Sequence, residues 1–232
     1  MFLLIETSTL NCSVALGDAS GVVAHREESA GQYVHAERLH VLIDELLATT
    51  GVDRTALSAI AVGRGPGSFT GLRIGVSAAK GMCVGLGLPL LAPCPLKALQ
   101  HRGGLAHPAL LDRPDRIVPA IDARRMDLYT FGVDGTPQAA TVEATFRPDI
   151  GAGPALLIGD GAEKCRAALE GHPADWTLLQ AHPSAADLLP QAIQMHTDGQ
   201  FEDVPDFEPF YLKDFIPGRP KDPLGLRSTT PS

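Results

Sequence analysis

The chain has no run of four lysines or arginines, no Cys-x-x-Cys pair and no apolar stretch long enough to cross a bilayer, and each gap removes a class of function. Its 27 acidic residues outnumber 19 basic ones, giving a formal net charge of −8, and Arg124-Arg125 is its only adjacent basic pair. Phosphate contacts need clustered cations, so the composition argues against a stand-alone nucleic-acid binder. The four cysteines, Cys12, Cys83, Cys94 and Cys165, lie far apart, a pattern expected of reduced thiols in a cytoplasmic protein rather than of a disulfide frame. Met1 to Ile5 is apolar, but Glu6 stops it and no basic residue precedes it, so neither signal peptide nor anchor is expected. The uncharged run Gly81 to Cys94 contains Pro89 and is too short for a span; no membrane association is expected. None of the eight histidines sits in a His-Glu-x-x-His context, no Gly-x-Ser-x-Gly occurs, and so no hydrolase signature is present.

What is there begins with Gly63-Arg64-Gly65-Pro66-Gly67-Ser68-Phe69-Thr70-Gly71-Leu72-Arg73-Ile74-Gly75, a glycine-rich loop following the apolar Ala59-Ile60-Ala61-Val62. Strand, tight loop and helix in that order often hold phosphates, because glycines turn at positive φ and free N–H groups attract anions. Gly65, Gly67, Ser68, Thr70 and Arg73 are the anion-binding candidates. The loop lacks the Gly-Lys-Ser/Thr ending of a Walker A motif and the third glycine of Gly-x-Gly-x-x-Gly. A phosphate site and a tight structural turn both stay open.

With 232 residues, 44% of them hydrophobic, the chain can form one large domain or two small lobes. Phe2 to Ile5, Ser13 to Leu16 and Val22 to Glu27 read as strands, the last two joined by a hairpin. Leu39, Leu42, Ile43, Leu46 and Leu47 repeat at helical spacing, which predicts an amphipathic helix over 34–50 ended by Gly51. His35 and His40 lie about 140° apart around it, so they do not share a metal ion, and His35 falls on the leucine face as a packed or interface residue. A second helix is expected over 70–87. Its Gly71, Gly75, Ala78, Met82 and Gly85 share a narrow arc that would let another backbone, of the same lobe or of a partner, approach closely.

Further along, Leu88 to Ala92 reads as a short strand and Pro95 to His101 as a short helix. The Gly, Pro, His and Arg composition of 102–116 suggests an inter-lobe connection. Strand, turn and strand then recur over Ile117 to Val133, with Asp122, Arg124 and Arg125 at a strand end where a phosphate or acidic partner could be held. A strand at Ala155 to Ile158 leads through Gly159-Asp160-Gly161 into an expected helix ending at Leu169, and Ala185 to His196 forms a last one. Phe201, Phe207, Phe210, Tyr211 and Phe215, interleaved with acids and prolines, suggest an extended segment pinned onto the body, with a mobile tail after it. These shifts divide the chain into lobes over 1–101 and 102–212 and a tail over 213–232.

Several of these stretches resemble the TsaB (YeaZ) family. Ile5-Glu6-Thr7-Ser8-Thr9 with Cys12 to Leu16 is similar to its opening hairpin, the glycine loop to its signature, Ala120-Ile121-Asp122-Ala123-Arg124 to its second-lobe turn, and Glu208-Pro209-Phe210-Tyr211-Leu212 to its C-terminal motif. The resemblance implies an α/β, two-lobed, actin-like and Hsp70-like (ASKHA) fold. It implies a non-catalytic partner of TsaD in forming N6-threonylcarbamoyladenosine at position 37 of tRNAs that read codons beginning with A, with TsaE as an ATPase in the larger complex, tRNA contacted only through that complex, and a homodimer when alone. It implies a partner surface on the first-lobe helices, with His35, Leu39, Leu42, Leu46, Gly71, Gly75, Ala78 and Met82 as candidates. The metal-binding histidine pair of TsaD has no match in Leu90 to Leu96, so no metal is implied. Glu6 and Ser8 stand where phosphate-binding hairpins carry Asp and Gly, so no cofactor is expected of this chain alone beyond weak ATP or ADP. The alternatives are an ATP-dependent small-molecule phosphotransferase of the same superfamily and a self-associating structural protein.

Overall fold

The structure, a computed structural model, describes residues 1–29, 31, 34–143 and 148–213. The first sheet is built from β1 (Phe2–Glu6), β2 (Cys12–Asp18), β3 (Gly21–Glu28), β4 (Ala59–Val62) and β5 (Leu90–Leu91) in the order β3-β2-β1-β4-β5. Hairpin connections make β1, β2 and β3 antiparallel, whereas β4 and β5 join parallel to β1 through the helical crossovers α1 (His35–Thr50) and α2 (Phe69–Leu86). The leucine stripe of α1 is buried as its spacing predicts, and Gly51 at φ 66° ends the helix in the left-handed region where a Cβ is costly. Ser68 caps α2, its Oγ accepting from the Gly71 N–H at 3.3 Å, and Gly87 at φ 66° ends it.

The second lobe follows α3 (Pro95–Ala106) with β6 (Ile117–Pro119), β7 (Ile121–Asp122), β8 (Asp127–Phe131), β9 (Pro137–Thr141), β10 (Gly153–Ile158) and β11 (Ala174–Leu179). β11, β10 and β6 pair in parallel, and β7, β8 and β9 pair antiparallel. Only Ala120 separates β6 from β7, and its N–H donates to the Ile158 carbonyl at 2.8 Å. Through that junction the order β9-β8-β7/β6-β10-β11 repeats the order and strand sense of the first sheet, the two related lobes that the recurring strand pattern suggests.

Three helices differ from expectation. The helix expected over 95–101 continues to Ala106, into the stretch whose glycines read as a connection. A Cβ on Gly103 would lie 2.7 Å from Ile117 Cγ2 and 3.0 Å from Leu156 Cδ2, so that glycine permits helix–sheet contact rather than a loose linker. The helix expected after Gly161 is two short 3-10 turns, Ala162–Cys165 and Ala167–Leu169. The last helix begins as a 3-10 turn, Ala185–Leu188, and becomes α4 (Leu189–Thr197). Leu188, Leu189 and Ala192 pack with Phe2, Leu4 and Ala15, so this C-terminal helix covers the face of the first sheet opposite α1 and α2. The chain thus returns to the first lobe after building the second. β9 and β11 have no counterpart in the sequence reading. Among the described residues no helix is long and apolar enough to cross a membrane.

Candidate functional site

The glycine loop and the start of α2 lie against the turn that follows β1. The Ser68 N–H donates to the Ser8 carbonyl at 2.7 Å. A Cβ on Gly67 would stand 2.4 Å from that oxygen and 2.5 Å from Ser8 Cβ, one on Gly71 2.2 Å from the Thr7 carbonyl oxygen, and one on Gly75 2.2 Å from Thr7 Oγ1. No methyl group fits at those distances. The glycines therefore serve close packing of loop and helix on Thr7 and Ser8.

Glu6 sits beneath this contact, fully buried. Its Oε1 accepts from the Ser8 N–H at 2.6 Å, its Oε2 has no hydrogen-bond partner among the described residues, and burial pushes its carboxyl up to about 7, with Asp187 adding in the same direction. His35 Nε2 lies 2.9 Å from the Thr9 carbonyl and 3.2 Å from that of Thr7. Carbonyls only accept, so Nε2 carries the proton, while burial lowers the imidazole's affinity for a second one.

His35 is thus an internal strut between α1 and the hairpin turn. Leu39, Leu42, Leu46 and Ala78 are buried in the core that α1 and α2 form with the sheet, and Gly71 and Gly75 are buried against Thr7. Of the eight residues expected on a partner surface, only Met82 is half-buried; the other seven face inward, because the stripe that makes each helix amphipathic is the stripe its own sheet covers. The outward faces carry Val41 (39% exposed) and Val84 (75% exposed), together with Gly81 and Gly85, whose Cβ positions would meet nothing within 4 Å.

The C-terminal segment is pinned over the same loop. The Phe210 N–H donates to the Arg64 carbonyl at 2.7 Å, and the Phe210 carbonyl oxygen would lie 2.7 Å from a Cβ on Gly65, whose φ is 106°. Arg73 covers the Phe69 ring at 4.0 Å, its Nε donates to the Tyr211 hydroxyl at 3.2 Å, and Tyr211 stacks on Phe69 with centroids 5.0 Å apart. Lys80 Nζ donates to the carbonyls of Pro205 and Phe207. Arg73 is therefore engaged by the chain itself, and Thr70 is exposed at the start of α2. Phe215 lies outside the described residues, as does the tail from 214 onward.

In the second lobe Asp122 Oδ1 accepts from the Arg124 N–H at 2.6 Å and from Lys164 Nζ at 2.5 Å, and the Asp122 N–H donates to Asp160 Oδ1 at 2.8 Å. Arg124 and Arg125 stand at φ 66° and 51°, left-handed conformations that cost an L-residue roughly 1–2 kcal/mol each. Lys164 and Asp160 were not among the sequence candidates. Their signal is the Gly159-Asp160-Gly161 loop after β10, which repeats the position of Gly63 after β4: a Cβ on Gly159 would lie 2.0 Å from the Ala120 carbonyl oxygen. A cavity of about 560 Å³ lined by residues including Lys97, Ile117, Thr130, Phe131 and Ile150 contains none of the residues expected at a site.

A model of the TsaD family, tRNA N6-adenosine threonylcarbamoyltransferase, matches residues 28–150. The chain is similar to the tRNA threonylcarbamoyladenosine biosynthesis protein TsaB of Escherichia coli (strain K12), with 31% identity over 92% of this chain and 95% of that one. It shares 40% identity over 127 residues with the protein of the same description from Haemophilus influenzae, covering 55% of this chain and 51% of that one. Among solved structures, YeaZ from Pseudomonas aeruginosa superposes with a TM-score of 0.75 at 31% identity, over 91% of this chain and 99% of that one.

Proposed function

The chain belongs to the TsaB family of tRNA threonylcarbamoyladenosine biosynthesis proteins, and on that premise we propose that it is the non-catalytic partner of a TsaD threonylcarbamoyltransferase. In this reading TsaD transfers the threonylcarbamoyl group from threonylcarbamoyl-AMP to adenosine 37 of tRNA in the cytoplasm, TsaE supplies ATPase activity, and this chain holds TsaD in its working form. The observation that carries it is the contact of Thr7 and Ser8 with Gly67, Gly71 and Gly75, which fills the hairpin-and-loop junction where a phosphotransferase of this superfamily would cradle nucleotide phosphates. The match of residues 28–150 to the TsaD model supports kinship with TsaD over that stretch.

The partner surface in this proposal is the outward side of α1 and α2, with Val41, Gly81, Met82, Val84 and Gly85, where small residues allow two helices from another chain to approach. The same face would join two copies of this chain when TsaD is absent. Reconstitution with TsaD, TsaE, tRNA and threonylcarbamoyl-AMP tests the function: modified adenosine should form only when this chain is present, and equal yield without it would overturn the reading. Val84→Asp should weaken TsaD binding at least tenfold in a titration while leaving the melting temperature of the isolated chain unchanged.

A further inference from the structure

We infer that the turn between β7 and β8 is a contact for the phosphate backbone of RNA, made by the Arg124 and Arg125 side chains; this rests on the proposed membership of the chain in a tRNA-modifying assembly. Every other arginine among the described residues has a side-chain partner within the chain: Arg38 with Glu28, Arg54 with Asp44, Arg102 with Asp187, Arg113 with Asp115 and Arg166 with Glu163, the remainder with carbonyls or aromatic rings. The Arg124 and Arg125 guanidinium groups make no hydrogen bond or ion pair among the described residues, and both side chains are exposed.

The acids around the turn are already engaged. Asp122 is held by Lys164 and the Arg124 N–H, Asp127 by Lys213 and by the Thr141 hydroxyl at 2.6 Å, and Asp160 by the Asp122 N–H, with His182 Nδ1 3.6 Å from its other oxygen. Arg125 still acts at longer range on Asp127, and Arg124 on Tyr129, but among the described residues no carboxylate pairs with either arginine at contact. With Lys164 and Lys213 offsetting Asp122 and Asp127, the two arginines outweigh Asp160 at this turn, on a chain whose formal net charge is −8.

Their backbone strengthens the case. Positions at positive φ favour glycine or asparagine, and two adjacent ones filled by arginine are explained by what the side chains do rather than by backbone ease. The Asp122 carboxylate fixes the turn through the Arg124 N–H, so the guanidinium groups project from a rigid base, and planar forks of this kind suit phosphate oxygens.

The test uses the complex of this chain with TsaD and a fluorescent tRNA transcript, titrated between 50 and 200 mM salt. Arg124→Ala with Arg125→Ala should lower tRNA affinity about tenfold at the low-salt end and reduce the slope of log affinity against log salt by about two, one for each lost phosphate contact. Arg124→Lys with Arg125→Lys should retain most of both. Arg124→Gly with Arg125→Gly should lose tRNA affinity equally while melting at a higher temperature than the natural chain, which separates charge from backbone strain. Unchanged tRNA affinity and slope in the alanine variant overturns the inference. A loss confined to TsaD affinity also overturns it, because the turn would then hold an acidic protein surface. A natural chain that fails to raise modified adenosine removes the functional reading itself, whereas an active natural chain with indifferent variants rejects only the RNA contact.

Discussion

Glu6 illustrates how one residue can set a pH dependence that the rest of the fold does not need. In the unfolded chain its carboxyl ionises near 4.5, and in the fold it keeps its proton up to about 7. Below pH 4.5 both states are protonated; above 7 both are charged and only the fold carries a buried carboxylate. Stability therefore falls as pH rises from about 4.5 to 7, by roughly 3 kcal/mol in all at about 1.4 kcal/mol for each pH unit. Urea unfolding should show that loss in the natural chain and a smaller one in Glu6→Gln, where the half-buried Asp187 carboxyl still contributes, and Glu6→Gln should be the more stable of the two at pH 8. Gly75 makes a second residue-scale case. Because its Cβ would meet Thr7 Oγ1, Gly75→Val should destabilise the isolated chain by about 1–3 kcal/mol, and Gly75→Ala should be rescued by Thr7→Ala in a double-mutant cycle. The sequence marks both positions, as an acid where a phosphate hairpin has Asp and as a glycine in a helix. It does not reveal that Gly75 packs on the turn that follows Glu6, since Thr7 and Gly75 are 68 positions apart and no periodicity links a turn to a helix face.

At the scale of elements, α1 and α2 are legible almost to the residue because each carries a stripe of buried residues and a glycine beyond its last turn. What periodicity cannot say is which stripe faces inward, and the inward one is the stripe it detects. β9 (Pro137–Thr141) is hidden because its Pro-Gln-Ala-Ala-Thr sequence has no apolar alternation and lies at a sheet edge. β11 (Ala174–Leu179) does alternate, with Ala174 buried and Trp176 and Leu178 packed on one second-lobe cluster, but over five residues only, before Leu179 turns to the other cluster. The extension of α3 is masked by composition, since Gly103 and Gly104 look like linker residues until Ile117 is placed beside them. Gly103→Leu should therefore destabilise the chain by about 1–3 kcal/mol, measured as a fall in urea midpoint at unchanged slope, although a linker glycine would tolerate it.

The whole molecule is a duplicated sheet whose halves are tied by chain that passes from the second back to the first. After β11, α4 covers the first sheet, Ser184 Oγ donates to Glu27 Oε2 at 2.9 Å, and the Ala185 N–H donates to Ser13 Oγ at 2.7 Å. Residues 201–213 then cross α2 and the glycine loop before Leu212 packs in the second-lobe core and Lys213 pairs with Asp127. A segment so attached at both ends braces the lobes against each other and lies over the glycine loop. The braced segment is poor in regular structure: a single bridge from Glu202 to Leu90 and the packing of Val204 and Phe207 hold its start, and over the glycine loop its hold comes from the Tyr211 and Phe210 rings and from main-chain carbonyls. Removing the rings should therefore loosen the loop without unfolding the sheet. Phe210→Ala with Tyr211→Ala should raise amide exchange across Gly63 to Arg73 by at least tenfold, while exchange in β1 and β4 stays within about twofold of the natural chain. Tyr211→Phe, which deletes only the acceptor for Arg73, should cost about 0.5–1.5 kcal/mol and leave the exchange pattern in place. Equal acceleration in the strands and the loop would show that the segment is part of the global fold and not a separate brace.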